Sequence, residues 1–207
     1  MLQLKTVHKD TFELLKKMST VKDLNSFALA GGTALALQLG HRISLDLDFI
    51  TEQLFDSFSL FETIGQSYEI ENSSTTTNSL SLFIKWQESS VKVDCIRHNY
   101  PRLKPWLTVS EIRLFSLEDI AAMKLNAVAN RGAKKDFYDI HALLSCFTLP
   151  EMLGFFEVKY QKMNSFTVTK SLAYFEDADL EPDPLSLVAI TWEQIKADLQ
   201  QILRNAV

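Results

Sequence analysis

Residues 30–50 have the sequence AGGTALALQLGHRISLDLDFI, and the predicted fold is organised around this stretch. Asp46 and Asp48 at its acidic end have the spacing of a β-strand, in which side chains two residues apart point to the same face. The opposite face is predicted to be apolar and to hold Leu45, Leu47 and Phe49. Two neighbouring carboxylates repel each other, and burying them without a counter-charge is costly. The pattern predicts a strand that anchors in a core and presents two carboxylates to a divalent metal.

A Gly-Gly-Thr turn precedes the acidic strand and directly follows an apolar run at residues 27–30. Gly31 and Gly32 permit a tight turn and a close approach to the backbone. Thr33 is a suitable N-cap for a short helix over residues 34–39. A helix N-terminus with free N–H groups near an acidic pair indicates a site for a nucleoside triphosphate. A lone Gly-Gly or a lone D-x-D is usually only a turn or a chance match, so the combination carries the prediction.

The stretch GGTALALQLGHRISLDLDF resembles the signature of the nucleotidyltransferase AbiEii/AbiGii toxin family, a branch of the DNA polymerase β-like nucleotidyltransferases. Residues 123–144, MKLNAVANRGAKKDFYDIHALL, resemble the second signature of that family, and the resemblance extends over nearly the whole chain. It implies an enzyme that uses Mg²⁺ or Mn²⁺, transfers a nucleoside monophosphate from an NTP to an acceptor and releases pyrophosphate.

The resemblance also implies a biological role, that of the toxin in a toxin–antitoxin or phage-defence (abortive infection) system with its antitoxin encoded nearby. Some relatives modify the acceptor end of tRNA, so tRNA is one expected acceptor, and a small molecule or a protein is the alternative. A second interpretation is a non-catalytic nucleotide-binding or interaction module with the same fold. A third is a metal-stabilised structural domain without a nucleotide. The presence of all three aspartates together with Lys124 and Asp139 favours the enzyme.

Asp94 is an acidic residue in an otherwise apolar strand pattern. The β-rich runs at residues 80–86 and 91–96, with a polar turn at residues 88–90, predict a hairpin. Taken alone, Asp94 is equally compatible with a surface position on an edge strand. A two-metal phosphoryl-transfer site needs about three carboxylates, because closely spaced metals share ligands. The resemblance implies that Asp94 is the third ligand, after Asp46 and Asp48.

The pattern becomes helical from Ser116, where a capping motif extends to Asp119. Lys124 lies close to the apolar stripe of the first helix, where a lysine usually snorkels, and the resemblance implies that it faces the nucleotide phosphates. Asp136 and Asp139 share a face of the next helix. For Asp136 we favour an ion-pair role. For Asp139 the resemblance favours a site role, in which it orients Lys124 or positions the acceptor.

The expected site residues therefore form three overlapping sets. The expected catalytic residues are Asp46, Asp48, Asp94, Lys124 and Asp139. The expected metal ligands are Asp46, Asp48 and Asp94. The expected nucleotide-binding residues are Gly31, Gly32, Thr33, Arg42, Ser44 and Lys124.

The expected fold class is α/β, with a small mixed sheet and flanking helices followed by a helical C-terminal half. Residues 1–115 are expected to form the nucleotidyltransferase core, and residues 116–207 a helical domain that closes the nucleotide cleft. Residues 54–64 have helical spacing. Residues 68–70 are expected to form a short strand, and residues 71–79, which are rich in Ser, Thr and Asn, predict a loop or a hairpin connection. The basic segment at residues 97–106 is expected to be a solvated loop, with the border of a substrate cleft as the alternative.

Composition and charge restrict the function classes. The chain is 46% hydrophobic and 23% charged, as in ordinary globular proteins, and its net charge of −5 argues against broad, non-specific nucleic-acid binding. No apolar run approaches the ~20 residues of a membrane span, and the N-terminus lacks the apolar region of a signal peptide. We therefore expect a cytoplasmic protein without a membrane partner. Cys95 and Cys146 lack metal-site spacing and are expected to stay reduced.

Overall fold

The computed structural model describes residues 1–206, which form two units. The sheet unit contains residues 1–40, 44–101 and 105–115. The helical unit contains the chain from Ser116 onward together with two short segments, residues 41–43 and 102–104. Each unit is therefore assembled from separate stretches of the sequence.

The sheet unit is built on a mixed sheet, which has seven strands within the described residues. In chain order they are β1 (Ala28–Leu29), β2 (Leu47–Thr51), β3 (Glu69–Thr76), β4 (Ser79–Trp86), β5 (Ser89–Arg97), β6 (Leu107–Val109) and β7 (Ile112–Leu114). Their spatial order is β3-β4-β5-β2-β1-β7-β6. The β2–β5 and β1–β7 pairs are parallel, and the other pairs are antiparallel. The expected mixed α/β architecture is confirmed.

Three α-helices of the sheet unit pack on this sheet: α1 (Lys9–Ser19), α2 (Gly31–Leu39) and α3 (Ser57–Gly65). Helix α1 is amphipathic and buries Leu14, Leu15 and Met18. Helix α2 is apolar on all sides, so it is buried along most of its length, as such helices are in protein cores.

The helical unit is formed by α4 (Leu117–Asn130), α5 (Lys134–Leu143), α6 (Leu149–Lys159), α7 (Ser165–Ser171), α8 (Glu176–Asp179) and α9 (Trp192–Ala206). Ser116 caps α4, because its hydroxyl oxygen accepts a hydrogen bond from the Asp119 amide at 3.1 Å. The rings of Phe137, Phe175 and Trp192 form an aromatic cluster with centroid separations of 5.3–5.7 Å. Within residues 1–206 no helix combines the length and the apolar character needed to cross a lipid bilayer.

The structure confirms some predicted elements and corrects others. The hairpin of β4 and β5 and the helix after Ser116 are confirmed. The connection predicted at residues 71–79 is too long, because β3 begins at Glu69 and continues to Thr76 along the edge of the sheet, which leaves residues 77–78 as the hairpin turn into β4. The core position predicted for Leu45 is also wrong: this residue precedes β2 and its side chain is 62% exposed.

Candidate active site

Carboxylates from two adjacent strands meet on one face of the sheet. Strands β2 and β5 run parallel with Asp48 directly opposite Asp94, and both residues are half-buried. Asp46 immediately precedes β2, and the two-residue alternation of an extended chain puts it on the same face as Asp48. The buried side chains Leu47, Phe49, Val93 and Cys95 occupy the alternate positions and fix both strands in the core. The sheet therefore sets Asp48 beside Asp94, with Asp46 one residue before β2.

Asp94 has a hydrogen-bond partner on each carboxylate oxygen. Ser81 on β4 donates its hydroxyl to Oδ1 at 2.6 Å, and the ammonium of Lys92 lies 2.7 Å from Oδ2. The hydrogen bond to Asp94, together with the charges of Asp46 and Asp48, raises the pKa of Lys92 above its ordinary value. Sequence reasoning missed both Ser81 and Lys92. The K-x-D alternation on β5 is the signal that could have revealed Lys92.

The first turn of α2 lies against Asp48. Gly31 has a φ of +65°, and a Cβ atom at this position would overlap the Asp48 carboxylate, so glycine is required here. The expected N-cap role of Thr33 is wrong, because α2 begins at Gly31 with Ala30 as its N-cap. The Thr33 hydroxyl instead donates to the main-chain oxygen of Asp46 and lies 2.9 Å from the Ser44 hydroxyl. These contacts hold the chain that leads into the acidic strand.

The helical unit has an ion-pair network centred on Asp139, which is fully buried on α5. Nε and Nη2 of Arg42 donate to its two oxygens at 2.7 and 2.9 Å, in the bidentate geometry that guanidinium groups favour. Nε2 of His41 donates to Oδ1 at 2.8 Å, and Nζ of Lys124 lies 2.6 Å from Oδ2. Burial alone would raise the pKa of Asp139, but Lys124 and Arg42 outweigh it and hold the pKa well below its ordinary range.

Asp136 extends the same network. Lys124 contacts it at 2.9 Å and Arg131 at 2.7 Å, so the ion-pair interpretation of Asp136 agrees with the structure. Burial opposes ionisation of Asp136, but Lys124 and Arg131 lower its pKa. Burial would likewise lower the pKa of Lys124, yet Asp139 and Asp136 raise it. Lys124 is therefore held as a buried ammonium and directs two of its three donors at carboxylates.

A short strand-like pairing holds Arg42 in place. The Ile43 amide donates to the Leu185 carbonyl and the Leu187 amide to the His41 carbonyl, both at 2.8 Å. These bonds flank an isolated antiparallel bridge between Arg42 and Ser186. Nδ1 of His41 is buried and has no hydrogen-bond partner within the described residues. The spacing of more than ninety residues between His41 and Asp139 explains why the sequence did not reveal their contact.

The predicted site residues thus belong to two clusters, one in each unit. The sheet unit carries Asp46, Asp48, Asp94, Gly31, Gly32, Thr33 and Ser44. The helical unit carries Arg42, Lys124 and Asp139.

The carboxylate cluster fits a hard divalent cation by its chemistry, because Mg²⁺ and Mn²⁺ prefer oxygen ligands and the register of β2 and β5 sets Asp48 beside Asp94. Within residues 1–206, no three His, Cys, Asp or Glu side chains already converge in metal-binding geometry. In the carboxylate cluster, the ammonium group of Lys92 provides the positive charge that lies next to Asp94.

Comparison with known proteins identifies the family of this chain. The family described as "Nucleotidyl transferase AbiEii toxin, Type IV TA system" matches residues 13–205. The uncharacterized protein aq_aa25 of Aquifex aeolicus (strain VF5) is 33% identical over 98% of this chain and 100% of its own length.

Two solved structures show the same fold at low identity. JHP933 from Helicobacter pylori superposes with a TM-score of 0.62 at 19% identity, covering 96% of this chain and 92% of its own. MenT4, the nucleotidyltransferase toxin Rv2826c from Mycobacterium tuberculosis H37Rv, gives a TM-score of 0.59 at 15% identity, with 96% and 86% covered. The family match spans most of the sequence, so the chain belongs to the AbiEii nucleotidyltransferase toxin family.

Proposed function

We propose that this nucleotidyltransferase is a divalent-metal enzyme that transfers a nucleoside monophosphate from an NTP to an acceptor hydroxyl. One observation carries the proposal: Asp48 and Asp94 lie opposite each other on adjacent parallel strands, and Asp46 immediately precedes the strand that holds Asp48. A strand on the protein surface does not require three neighbouring carboxylates, whereas a phosphoryl-transfer site uses them as metal ligands.

Asp46, Asp48 and Asp94 are the proposed ligands for Mg²⁺ or Mn²⁺. Bound cations would supply charge stabilisation for the attacking and leaving oxygens at the α-phosphate. Gly31 supports the geometry, because its missing side chain leaves room for the Asp48 carboxylate against the backbone. Leu47 and Phe49, the residues on either side of Asp48, are buried and hold the strand and its carboxylates in fixed positions.

The triphosphate is proposed to approach the glycine turn. Gly31 and Gly32 open α2, and the first N–H groups of a helix suit an anionic phosphate. Thr33 and Ser44 brace this turn against the acidic strand through their hydroxyl groups. In the helical unit, Arg42 and Lys124 are separately proposed as phosphate-binding cations, and Asp139 is proposed to orient both of them. Its contacts with the two cations, at 2.6–2.9 Å, support the orienting role.

The proposed reaction forms one bond and breaks one. The acceptor oxygen bonds to the α-phosphorus, the bond from that phosphorus to the bridging oxygen of the β-phosphate breaks, and pyrophosphate leaves. The hydroxyl proton moves to a base, for which we propose the Asp94 carboxylate. Asp94 is half-buried and its oxygens already accept bonds from an ammonium and a hydroxyl, so its position is well defined.

We propose a tRNA end as the acceptor and a separately encoded antitoxin as the partner, on the basis of family membership. The net charge of −5 disfavours RNA binding over most of the protein surface, so binding of RNA requires a local basic segment. Arg102 and Lys104 in the helical unit are both exposed and provide one. Incubation with each labelled NTP, Mg²⁺ and separate pools of tRNA, protein and small molecules would identify the acceptor.

Asp94→Asn tests the proposal, because it keeps the side-chain size and most of the hydrogen bonding but removes the charge. Asp46 and Asp48 can still hold a metal that is bound largely by the triphosphate itself. We expect the variant to bind Mg²⁺–NTP within a few-fold of the parent and to lose transfer by several orders of magnitude. Calorimetry gives the affinity and single-turnover assays give the rate.

Asp46→Ala and Asp48→Ala serve as companion variants, and both should abolish transfer with the fold intact. Asp56→Asn is the matched control, since Asp56 is an acidic residue whose carboxylate caps α3. Near-parent transfer by Asp94→Asn would show that Asp94 is an ordinary strand residue and would remove the three-carboxylate site.

A further inference from the structure

Lys92 lies close to the three proposed metal ligands, Asp46, Asp48 and Asp94. It precedes Asp94 by two residues on β5, so both side chains leave the same face of the strand. Leu47 pairs with Val93 and Asp48 with Asp94, and one step back in this parallel register places Asp46 beside Lys92. The Lys92 ammonium is therefore close to Asp46 and in direct contact with Asp94 at 2.7 Å.

The partners of Asp94 show what Lys92 contributes. Ser81 satisfies Oδ1 with a neutral hydroxyl, whereas Lys92 satisfies Oδ2 with a full positive charge. Without that charge, three like-charged carboxylates would face one another on a partly buried sheet surface, which is unfavourable. With it, the cluster keeps a net charge of −2.

We propose that Lys92 is a positioning residue that acts as an internal counter-cation. Its ammonium holds Asp94 in place in the metal-free protein and leaves that carboxylate when a divalent cation binds. The inference rests on the proposed function, since it takes the three aspartates as the metal site.

Two effects of opposite sign follow from this role. Replacing Lys92 with an uncharged residue removes the charge that offsets the carboxylates, so the metal-free protein becomes less stable. The same replacement removes a competitor for Asp94 and a repulsive charge close to the incoming cation, so metal binding becomes tighter. A residue that only supported the strand would lower stability without strengthening metal binding.

The test measures Mn²⁺ affinity of the full chain without nucleotide, by electron paramagnetic resonance. Lys92→Met is expected to bind Mn²⁺ about tenfold more tightly than the parent, since it removes one unit charge within a few ångströms of the ion. Lys92→Arg keeps the charge and should stay close to the parent. Lys85→Met is the matched control, because Lys85 on β4 is paired with Glu69 and lies opposite Ser90, four residues before Asp94.

Thermal unfolding in the presence of EDTA gives the second readout. Lys92→Met should lower the unfolding midpoint by roughly 2–4 °C, the shift produced by a modest loss of stability in a protein of this size. Added Mn²⁺ should raise the midpoint of this variant more than that of the parent, because a ligand that binds the folded state more tightly stabilises it more.

Asp48→Asn separates failure of this inference from failure of the proposed function. If Asp48→Asn loses Mn²⁺ binding but Lys92→Met binds Mn²⁺ no better than the parent, the counter-cation role is wrong and the metal site stands. If Asp48→Asn binds Mn²⁺ as well as the parent, the metal site is wrong, and the inference falls with it.

Discussion

At the scale of single residues, the buried ion pairs of Asp139 stabilise the fold only while all the partners are present. Asp139 is fully buried, and its carboxylate meets Arg42, Lys124 and His41. Removing one partner from such a cluster leaves an uncompensated buried charge, which typically costs about 3–5 kcal/mol. Any substitution of Arg42, Lys124 or Asp139 must therefore be checked for folding before a loss of activity is assigned to the reaction.

The lowered pKa of Asp139 predicts that the protein loses stability in acid. A carboxylate with a depressed pKa contributes stability that is fully present above its unfolded pKa of about 3.9 and is lost as the pH falls. The free energy of unfolding in urea should therefore drop steadily between pH 5 and pH 2. Asp139→Asn should be less stable at pH 7 and should show a shallower drop over this range.

Asp177→Asn is the control for this pH experiment, because Asp177 is an exposed carboxylate of the same unit. It should follow the parent curve. An Asp139→Asn curve parallel to that of the parent would mean that other carboxylates, such as Asp136, determine the acid response.

At the scale of secondary-structure elements, the start of α2 couples the backbone to the acidic strand. Gly31→Ala places a side chain at positive φ and into the Asp48 carboxylate. We expect this variant to lose about 1–3 kcal/mol of stability and to weaken Mn²⁺ binding, because Asp48 must move. Gly154→Ala on α6 is the matched control, since its new Cβ has no neighbouring atom within 4 Å, and it should be neutral or stabilising. Equal stabilities and metal affinities for the two variants would contradict the close packing of Gly31 and Asp48.

The success of sequence-based prediction differed between elements for a physical reason. Strand β5 was predicted correctly, because its buried Val91, Val93 and Cys95 alternate with more polar residues. Most of strand β3, from residue 71 to Thr76, was missed because it lies at the edge of the sheet and is largely exposed. Its extended shape comes from hydrogen bonding to β4 rather than from buried side chains, so its composition looks like that of a loop.

The candidate site was predictable where neighbouring residues define it. Asp46 and Asp48 follow from local alternation, and Asp94 needed the resemblance to a family. The pairing of Arg42 with Asp139 joins residues 97 positions apart, and no local pattern encodes such a contact. The prediction that Thr33 is the N-cap was wrong, because α2 begins at Gly31, earlier than the side-chain pattern indicates.

At the scale of the whole molecule, the helical unit depends on two segments that lie far upstream in the sequence. Residues 41–43 pair with residues 185–187, and Asp119 accepts hydrogen bonds from the Leu103 and Lys104 amides at 3.0–3.2 Å. Lys159 supports Asp119 from α6 at 2.7 Å, and both side chains are buried. The unit is thus completed by residues that a cut before Ser116 would remove.

A fragment of residues 116–207 is therefore expected not to fold on its own. It lacks the Arg42 guanidinium that faces Asp139, and the resulting loss of about 3–5 kcal/mol is a large part of the 5–15 kcal/mol that stabilises a typical domain. Circular dichroism during heating and a two-dimensional amide spectrum would test this against the full chain. Cooperative unfolding with well-dispersed amide signals in the fragment would contradict the expectation.

The interleaved construction of the helical unit has a genetic consequence. A single recombination event near codon 116 would join the first part of this gene to the last part of a diverged homologue. Arg42 from the first gene would then have to pair with Asp139 from the homologue, which also contacts Lys124. Leu103 and Lys104 from the first gene would likewise have to donate their amides to Asp119 from the homologue. Exchange of the helical unit between lineages is therefore expected to require the codons for residues 41–43 and 102–104 to be inherited with it.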